Sequence, residues 1–172
     1  MNLRDYLPVI ENFPKPGIFF RDISPLLANA DAFKSAIESL DILSKEFEYT
    51  HILGIESRGF IFGAALARHS HKGLLLARKP NKLPLPSHTE SYGLEYGKDS
   101  LQIQAHTIVK GAKILIIDDV LATGGTLVAA SQLVKKVGAT LSGAITLAEI
   151  GVLNGKRLLN ASGISFRSVL TL

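Results

Sequence analysis

The sequence predicts an α/β fold: a central, mostly parallel sheet flanked by helices, with one hairpin projecting as a flap. Three observations carry that expectation. Ile114, Leu115, Ile116 and Ile117 form an unbroken apolar run, the pattern of a strand buried on both faces of a parallel sheet. Other strand-like runs alternate with stretches of helical periodicity, as in β-α-β units. Tyr92–Tyr96 and Leu101–Gln104 pair naturally as a hairpin across Gly97–Ser100.

The elements follow in order. Leu3–Ile10 reads as a short helix stopped near Pro8, and Asn12–Gly17, with Pro14 and Pro16, as a turn-rich link. Ile18–Arg21 is a short extended piece before a turn at Ser24-Pro25. Asp31 is the expected N-cap of a helix to about Glu46, whose Phe33, Ile37, Leu40 and Leu43 recur at helical spacing. Thr50–Ile55 is a strand, Ser57–Gly59 a turn into a helix reaching about His69, and Gly73–Ala77 another buried strand. Pro80, Pro84 and Pro86 make Arg78–His88 a loop. Strand 114–118, helix 127–136, a stop at Gly138 and strand Leu141–Ala148 form a second β-α-β unit, and Ile164–Leu170 is the last strand.

A chain of 172 residues holds one domain with a real core. The net charge of +4 favours anionic ligands, but no basic run or helical stripe marks a nucleic-acid surface. Without cysteine there is neither a disulfide framework nor thiolate chemistry. MNLRDYLPVIENF carries charges within its apolar stretch, unlike a secretory leader, and no uncharged run approaches the ~20 residues of a membrane span. A cytoplasmic location is the expectation. The histidines at 51, 69, 71, 88 and 106 show no metal-ligand spacing.

The chemistry gathers in three loops. Asp118 and Asp119 end the buried strand, where open α/β sheets form their ligand crevice. The loop Ala122–Thr126 then leads into a helix from Leu127, offering backbone N–H groups, two Thr hydroxyls and a helix N-terminus to an anion. Amides for a phosphate beside carboxylates for hydroxyls suit a phosphorylated sugar; taken alone, the loop is also an ordinary βα turn. It is neither a Walker A loop nor a GxGxxG fingerprint. Ile52–Gly63 repeats the plan of strand, tight turn and Gly-containing helix, with Ser57 and Arg58 at the turn. A cation at a helix start opposes the dipole, which favours a functional reading of Arg58. Arg78, Lys79 and Lys82 form a third cationic loop, solvated on its own reading and a further anion contact beside the other two.

ILIIDDVLATGGT, over its whole length, resembles the phosphoribosyl pyrophosphate signature of the type I phosphoribosyltransferases. ESRG at Glu56–Gly59, SYGLEYGK at Ser91–Lys98 and GIFFRDISP at Gly17–Pro25 resemble segments of that family's adenine-specific members. The resemblance runs from about Leu7 to Gly155 in family order. It implies the type I phosphoribosyltransferase fold over residues 1–172, with a base-recognition segment of about 1–30 packed on it. It assigns Asp118 and Asp119 to the ribose hydroxyls, and Ala122, Thr123, Gly124, Gly125 and Thr126 to the 5-phosphate. Ser57, Arg58, Arg78, Lys79 and Lys82 fall to pyrophosphate, partly across the interface of a homodimer, with a cis peptide expected at Glu56–Ser57. Phe19, Phe20 and Arg21 fall to adenine, with Ile150 on the opposite purine face; these apolar residues also read as plain core. Phe19 stands where the family is more often small or branched, and Leu85 where Gly is expected.

Glu95 is the implied catalytic residue of the flap, with Tyr92 and Tyr96 shielding the site from water. A carboxyl there suits both the proton of an attacking purine and the positive charge developing on the ribose. The implied reaction is transfer of the 5-phosphoribosyl group from phosphoribosyl pyrophosphate to adenine, giving AMP and pyrophosphate in purine salvage. Mg²⁺ is implied, held mainly by the donor and not by side chains alone. The rivals are the same chemistry on another base, and a non-catalytic regulator that senses the donor and binds nucleic acid.

Overall fold

The structure, a computed structural model, describes residues 1–84, 87–94 and 97–172. The chain falls into two compact units, Met1–Ser39 and Leu40–Leu172. In the first, the expected helix Leu3–Ile10 is a 3-10 turn, Leu3–Tyr6, begun by Asn2, whose side chain accepts the Arg4 N–H. Pro8 cannot extend a helix, and Val9–Glu11 instead forms β1, antiparallel to β2, Phe19–Arg21. The link between them carries Asn12 and Gly17 at positive φ and a cis Phe13–Pro14 bond. Ser24-Pro25 is the start of a short helix, α1, Ser24–Ala28, because proline in the first turn sacrifices no helical hydrogen bond. The next helix, α2, spans Ala30–Ser44. Its cap is Asn29, whose Oδ1 accepts the Ala32 N–H at 2.9 Å; Asp31 lies in the first turn, where its charge complements the dipole.

The second unit alternates β3 (His51–Ile55), α3 (Gly59–Ser70) and β4 (Gly73–Ala77) before a hairpin of β5 (Ser87–Leu94) and β6 (Gly97–Gln104). It continues with β7 (Lys113–Leu121), α4 (Gly125–Lys136), β8 (Thr140–Glu149), α5 (Gly155–Ala161) and β9 (Phe166–Thr171). Five parallel strands form the sheet in the order β4-β3-β7-β8-β9. Ile114–Ile117 are wholly buried at its centre, as their unbroken apolar run requires. Gly73–Ala77 differs from expectation: it is an edge strand with Leu74 and Leu76 exposed.

The hairpin strands are longer than their sequence pattern indicates, and Leu94 pairs with Gly97, which moves the turn away from Gly97–Ser100. Leu101 and Ile103 of β6 are buried in the core, and Lys136 of α4 donates to the Thr89 carbonyl. The base of the flap is therefore part of the packed unit.

Chain direction creates the crevice. From β3 the chain crosses through α3 to β4 on one side; from β7 it crosses through α4 to β8 on the other. The β3–β7 boundary is thus a topological switch point, where open α/β sheets bind ligands beyond the strands' carboxyl ends.

Candidate active site

β7 outruns its neighbour. Pairing with β3 ends at Gly54↔Ile117, while pairing with β8 continues to Leu121↔Glu149. Beyond Ile117 the flank of β7 opens toward the turn after β3, and Asp118 and Asp119 stand there. Asp119 is buried, at 3% exposure, with Arg58 Nε 2.8 Å from its Oδ2. Asp118 is half-buried and accepts the Asp119 N–H at 2.9 Å. Burial, then the charge of Asp119, push the Asp118 carboxyl well above its ordinary value. Gly59 makes this proximity feasible: a Cβ there would lie 2.9 Å from the Ile117 carbonyl oxygen and 3.0 Å from Asp118 Oδ1.

Ala122 and Thr123 are exposed, and α4 begins at Gly125, two residues earlier than the pattern indicates. Gly124 caps it at φ 92°, a conformation that favours glycine. Asp118, Ala122, Thr123, Gly124 and Thr126 line a small cleft of about 70 Å³ here. Gly125 borders the hairpin, since a Cβ there would be 3.6 Å from the Tyr92 ring.

The Glu56–Ser57 peptide is cis. Ser57 is exposed and Arg58 half-buried. Glu56 is a hub that the motif reading did not single out. Its Oε2 accepts Arg78 Nε at 3.0 Å and the Lys79 N–H at 2.7 Å, which fastens the cationic loop to the Ser57-Arg58 turn. Burial works to raise its pKa, but these partners outweigh it and hold the carboxylate below its usual range. Arg78 also bridges Gln102 of β6 through both backbone bonds, at 2.8 and 2.7 Å. Lys79 Nζ reaches Asp99 and the Tyr92 hydroxyl, whereas Lys82 is exposed.

Phe19 is exposed and is not core; Phe20 is half-buried and meets Phe13 edge to face at 5.2 Å. Arg21 donates from Nη1 to the Leu7 carbonyl at 3.2 Å. In the second unit, half-buried Ile150 lines a cleft of about 190 Å³ with Glu149, Gly151, Gly155, Lys156 and Arg157. The Glu95 and Tyr96 assignments and the Leu85 departure lie outside the described residues. A larger cleft of about 520 Å³, lined by Asp41, Tyr49, His69 and Lys72 among others, lies at the amino ends of β3 and β4, away from these loops.

The structure thus gathers Asp118, Asp119, Arg58, Ser57, Arg78, Lys79 and the 122–126 loop at one end of the sheet. Glu56 and Asp99 join them; the only sequence signal for Glu56 was its place beside Ser57, and Asp99 gave none.

The chain matches the phosphoribosyl transferase domain family over residues 26–158. It is 66% identical over 170 residues to adenine phosphoribosyltransferase of Polynucleobacter asymbioticus, covering 99% of both chains. The crystal structure of the adenine phosphoribosyltransferase of Thermoanaerobacter pseudethanolicus superposes with a TM-score of 0.95 at 38% identity, over 99% of this chain and 98% of that one. That of Saccharomyces cerevisiae, solved with adenine and an imino-altritol bisphosphate, gives 0.91 at 34% identity, over 98% and 96%. No helix among the described residues is long and apolar enough to cross a membrane.

Proposed function

The chain belongs to the phosphoribosyl transferase family, and from that premise we propose how its residues carry out the reaction of its adenine-specific relatives. The enzyme transfers the 5-phosphoribosyl group from phosphoribosyl pyrophosphate to adenine and releases AMP and pyrophosphate, a purine-salvage reaction. The observation that carries the residue assignments is the 2.8 Å approach of Arg58 to Asp119 across the switch point. It brings the loop assigned to pyrophosphate beside a carboxylate assigned to ribose, so that one donor could span both.

In this reading Asp118 and Asp119 accept from the ribose hydroxyls, and Ala122–Thr126 hold the 5-phosphate with backbone N–H groups and Thr hydroxyls. Ser57, Arg58, Arg78, Lys79 and Lys82 take the pyrophosphate. The C1–O bond breaks with its electron pair leaving on pyrophosphate, and N9 of adenine closes on C1. Glu95 manages the proton that N9 loses, or holds N7, and offsets positive charge on the ribose. Tyr92 and Tyr96 exclude water. Adenine is assigned to Phe19, Phe20 and Arg21 and, separately, to Ile150; main-chain acceptors for the exocyclic amine would discriminate against guanine.

Mg²⁺ fits as a companion of the donor. Asp118 and Asp119 form a carboxylate pair, but no group of three or more His, Asp or Glu side chains suited to a metal occurs among the described residues. Bound with the donor, it would offset the charge of the departing pyrophosphate. A homodimer is supported by the exposed Leu74 and Leu76 of edge strand β4 and by exposed Ile61 of α3. A cytoplasmic location belongs to the same reading: the donor and product are too highly charged to cross a bilayer unaided, so enzyme and substrate share a compartment.

The test is base-dependent release of pyrophosphate with adenine, hypoxanthine, guanine and xanthine. Adenine is expected to be preferred by orders of magnitude. Donor binding without turnover of any base would refute the enzyme reading, and equal use of hypoxanthine would refute the adenine assignment.

A further inference from the structure

Asp99 sits on β6 directly opposite Tyr92 on β5. Its Oδ2 receives both Lys79 Nζ and the Tyr92 hydroxyl, the latter at 2.8 Å, while Oδ1 accepts the Ser100 N–H at 2.8 Å. Lys79 Nζ also donates to the Tyr92 hydroxyl at 2.8 Å and lies 5.4 Å from the centre of its ring. The Tyr92 ring in turn borders Gly125 of the phosphate loop. One carboxylate thus ties a cation of the 78–82 loop to the flap hairpin, at a point where the hairpin touches the 5-phosphate loop.

We propose that Asp99 is a positioning residue that parks Lys79 on the hairpin in the donor-free enzyme, so that pyrophosphate takes Lys79 only by breaking this side-chain tie, while the backbone bridge of Arg78 to Gln102 stays in place. The proposal rests on the assignment of Lys79 to pyrophosphate. Lys79 cannot serve the Asp99 carboxylate and an incoming polyanion equally, and the carboxylate itself repels that anion. Burial alone would favour neutral forms of both groups, but their mutual hydrogen bonds prevail and keep the lysine pKa high and the aspartate pKa low. Both side chains are about one-third exposed, at 34% and 30%, so the tie is loose enough to exchange. A ligand that binds only the released state sees its affinity reduced by that state's population. Donor binding and release of the Lys79 tie to Asp99 and Tyr92 are then one linked equilibrium, and weakening the tie strengthens donor binding.

The test compares Asp99→Asn, Tyr92→Phe, Lys79→Met and Asp99→Asn/Lys79→Met with Mg²⁺-saturated donor. Asp99→Asn keeps the shape and removes the charge, and should lower the donor KM roughly three- to tenfold, as loss of a partly exposed charge-assisted bond predicts, without changing the adenine KM. Tyr92→Phe should lower the donor KM less, because it removes one of the two acceptors of Lys79. Amide exchange of residues 89–92 and 99–101 in the donor-free enzyme should quicken in Asp99→Asn and, in the wild type, on adding donor. Lys79→Met should raise the donor KM, and Asp99→Asn should then lower it by less than it does with Lys79 present, since only the repulsion by the carboxylate is left to remove. A donor KM unchanged or raised by Asp99→Asn, with Lys79→Met impaired, would overturn the parking role and leave the Lys79 assignment standing. A donor KM unaffected by Lys79→Met would overturn the assignment itself, whatever the exchange data report about the hairpin.

Discussion

Gly155 opens α5 directly against the Ala122–Thr126 loop, proposed above to hold the 5-phosphate, and the space there is measurable. A Cβ at this position would stand 2.2 Å from the Ala122 carbonyl oxygen and 3.0 Å from Leu121 Cδ1. Ordinary contact begins near 3.4 Å, so Gly155→Ala is about 1.2 Å short of room against a backbone atom that no rotamer change can move aside. Either α5 retreats or the Ala122–Thr126 loop shifts. Overpacking of this kind costs roughly 1–3 kcal/mol, which lowers Tm by roughly 2–12 °C in a chain of this size. An ångström of displacement at an anion cradle costs up to about 100-fold in rate, so kcat/KM for the donor should fall roughly 10- to 100-fold. Initial rates with each substrate varied at saturation of the other will separate donor from base effects. Gly138→Ala is the control, because Gly138 has φ 73° but no neighbour within 4 Å; it should destabilise while leaving the donor KM intact. A Gly155→Ala enzyme with a donor KM within about twofold of wild type would refute the reasoning.

Asp118→Asn removes a carboxylate whose ionisation is opposed by burial and by Asp119, so it should raise the Tm of the donor-free enzyme at pH 7 while weakening donor affinity at least about tenfold. A lowered Tm would contradict the electrostatic account, and unchanged affinity the ribose assignment. Glu95→Gln should reduce kcat about 100-fold or more with donor dissociation nearly unchanged; equal losses in both would make Glu95 a positioning residue. Glu56 has a folded pKa below its ordinary 4.5, so its contribution is present above that value and is lost as pH falls through the folded pKa. Thermal scans should place Glu56→Gln below wild type at pH 7 and converge with it in acid, and curves that stay parallel would count against this.

What was legible followed from strong local signals. Ile114–Ile117 could be satisfied only by burial on both faces, and the TGGT loop announced a strand-to-helix turn with a glycine that now caps α4 at φ 92°. The elements missed or misread lacked such signals. β5 opens Ser87, His88, Thr89, Glu90, a polar run whose pairing depends on β6 and on α4 behind it. The seven residues of α5 are too few to establish a helical period, and its first glycine reads locally as a breaker. Strand Gly73–Ala77 is as apolar as a central strand, so its edge position is decided by chain topology, not by its residues. Within the site, Glu56 and Asp99 matter through partners more than 20 positions away or across a hairpin, which spacing in one sequence does not reveal.

The edge position of β4 has a practical consequence. An apolar strand with open backbone groups is a template for unwanted strand addition, and proteins commonly guard such edges with positive charge. Lys72 precedes β4, and Arg78 and Lys79 follow it. Arg78 and Lys79, proposed to grip the donor, therefore also stand as gatekeepers against uncontrolled strand addition, as distinct from a specific dimer. Variants that neutralise them risk losing soluble protein as well as anion affinity, and their kinetics should be compared at equal concentrations of verified, non-aggregated enzyme.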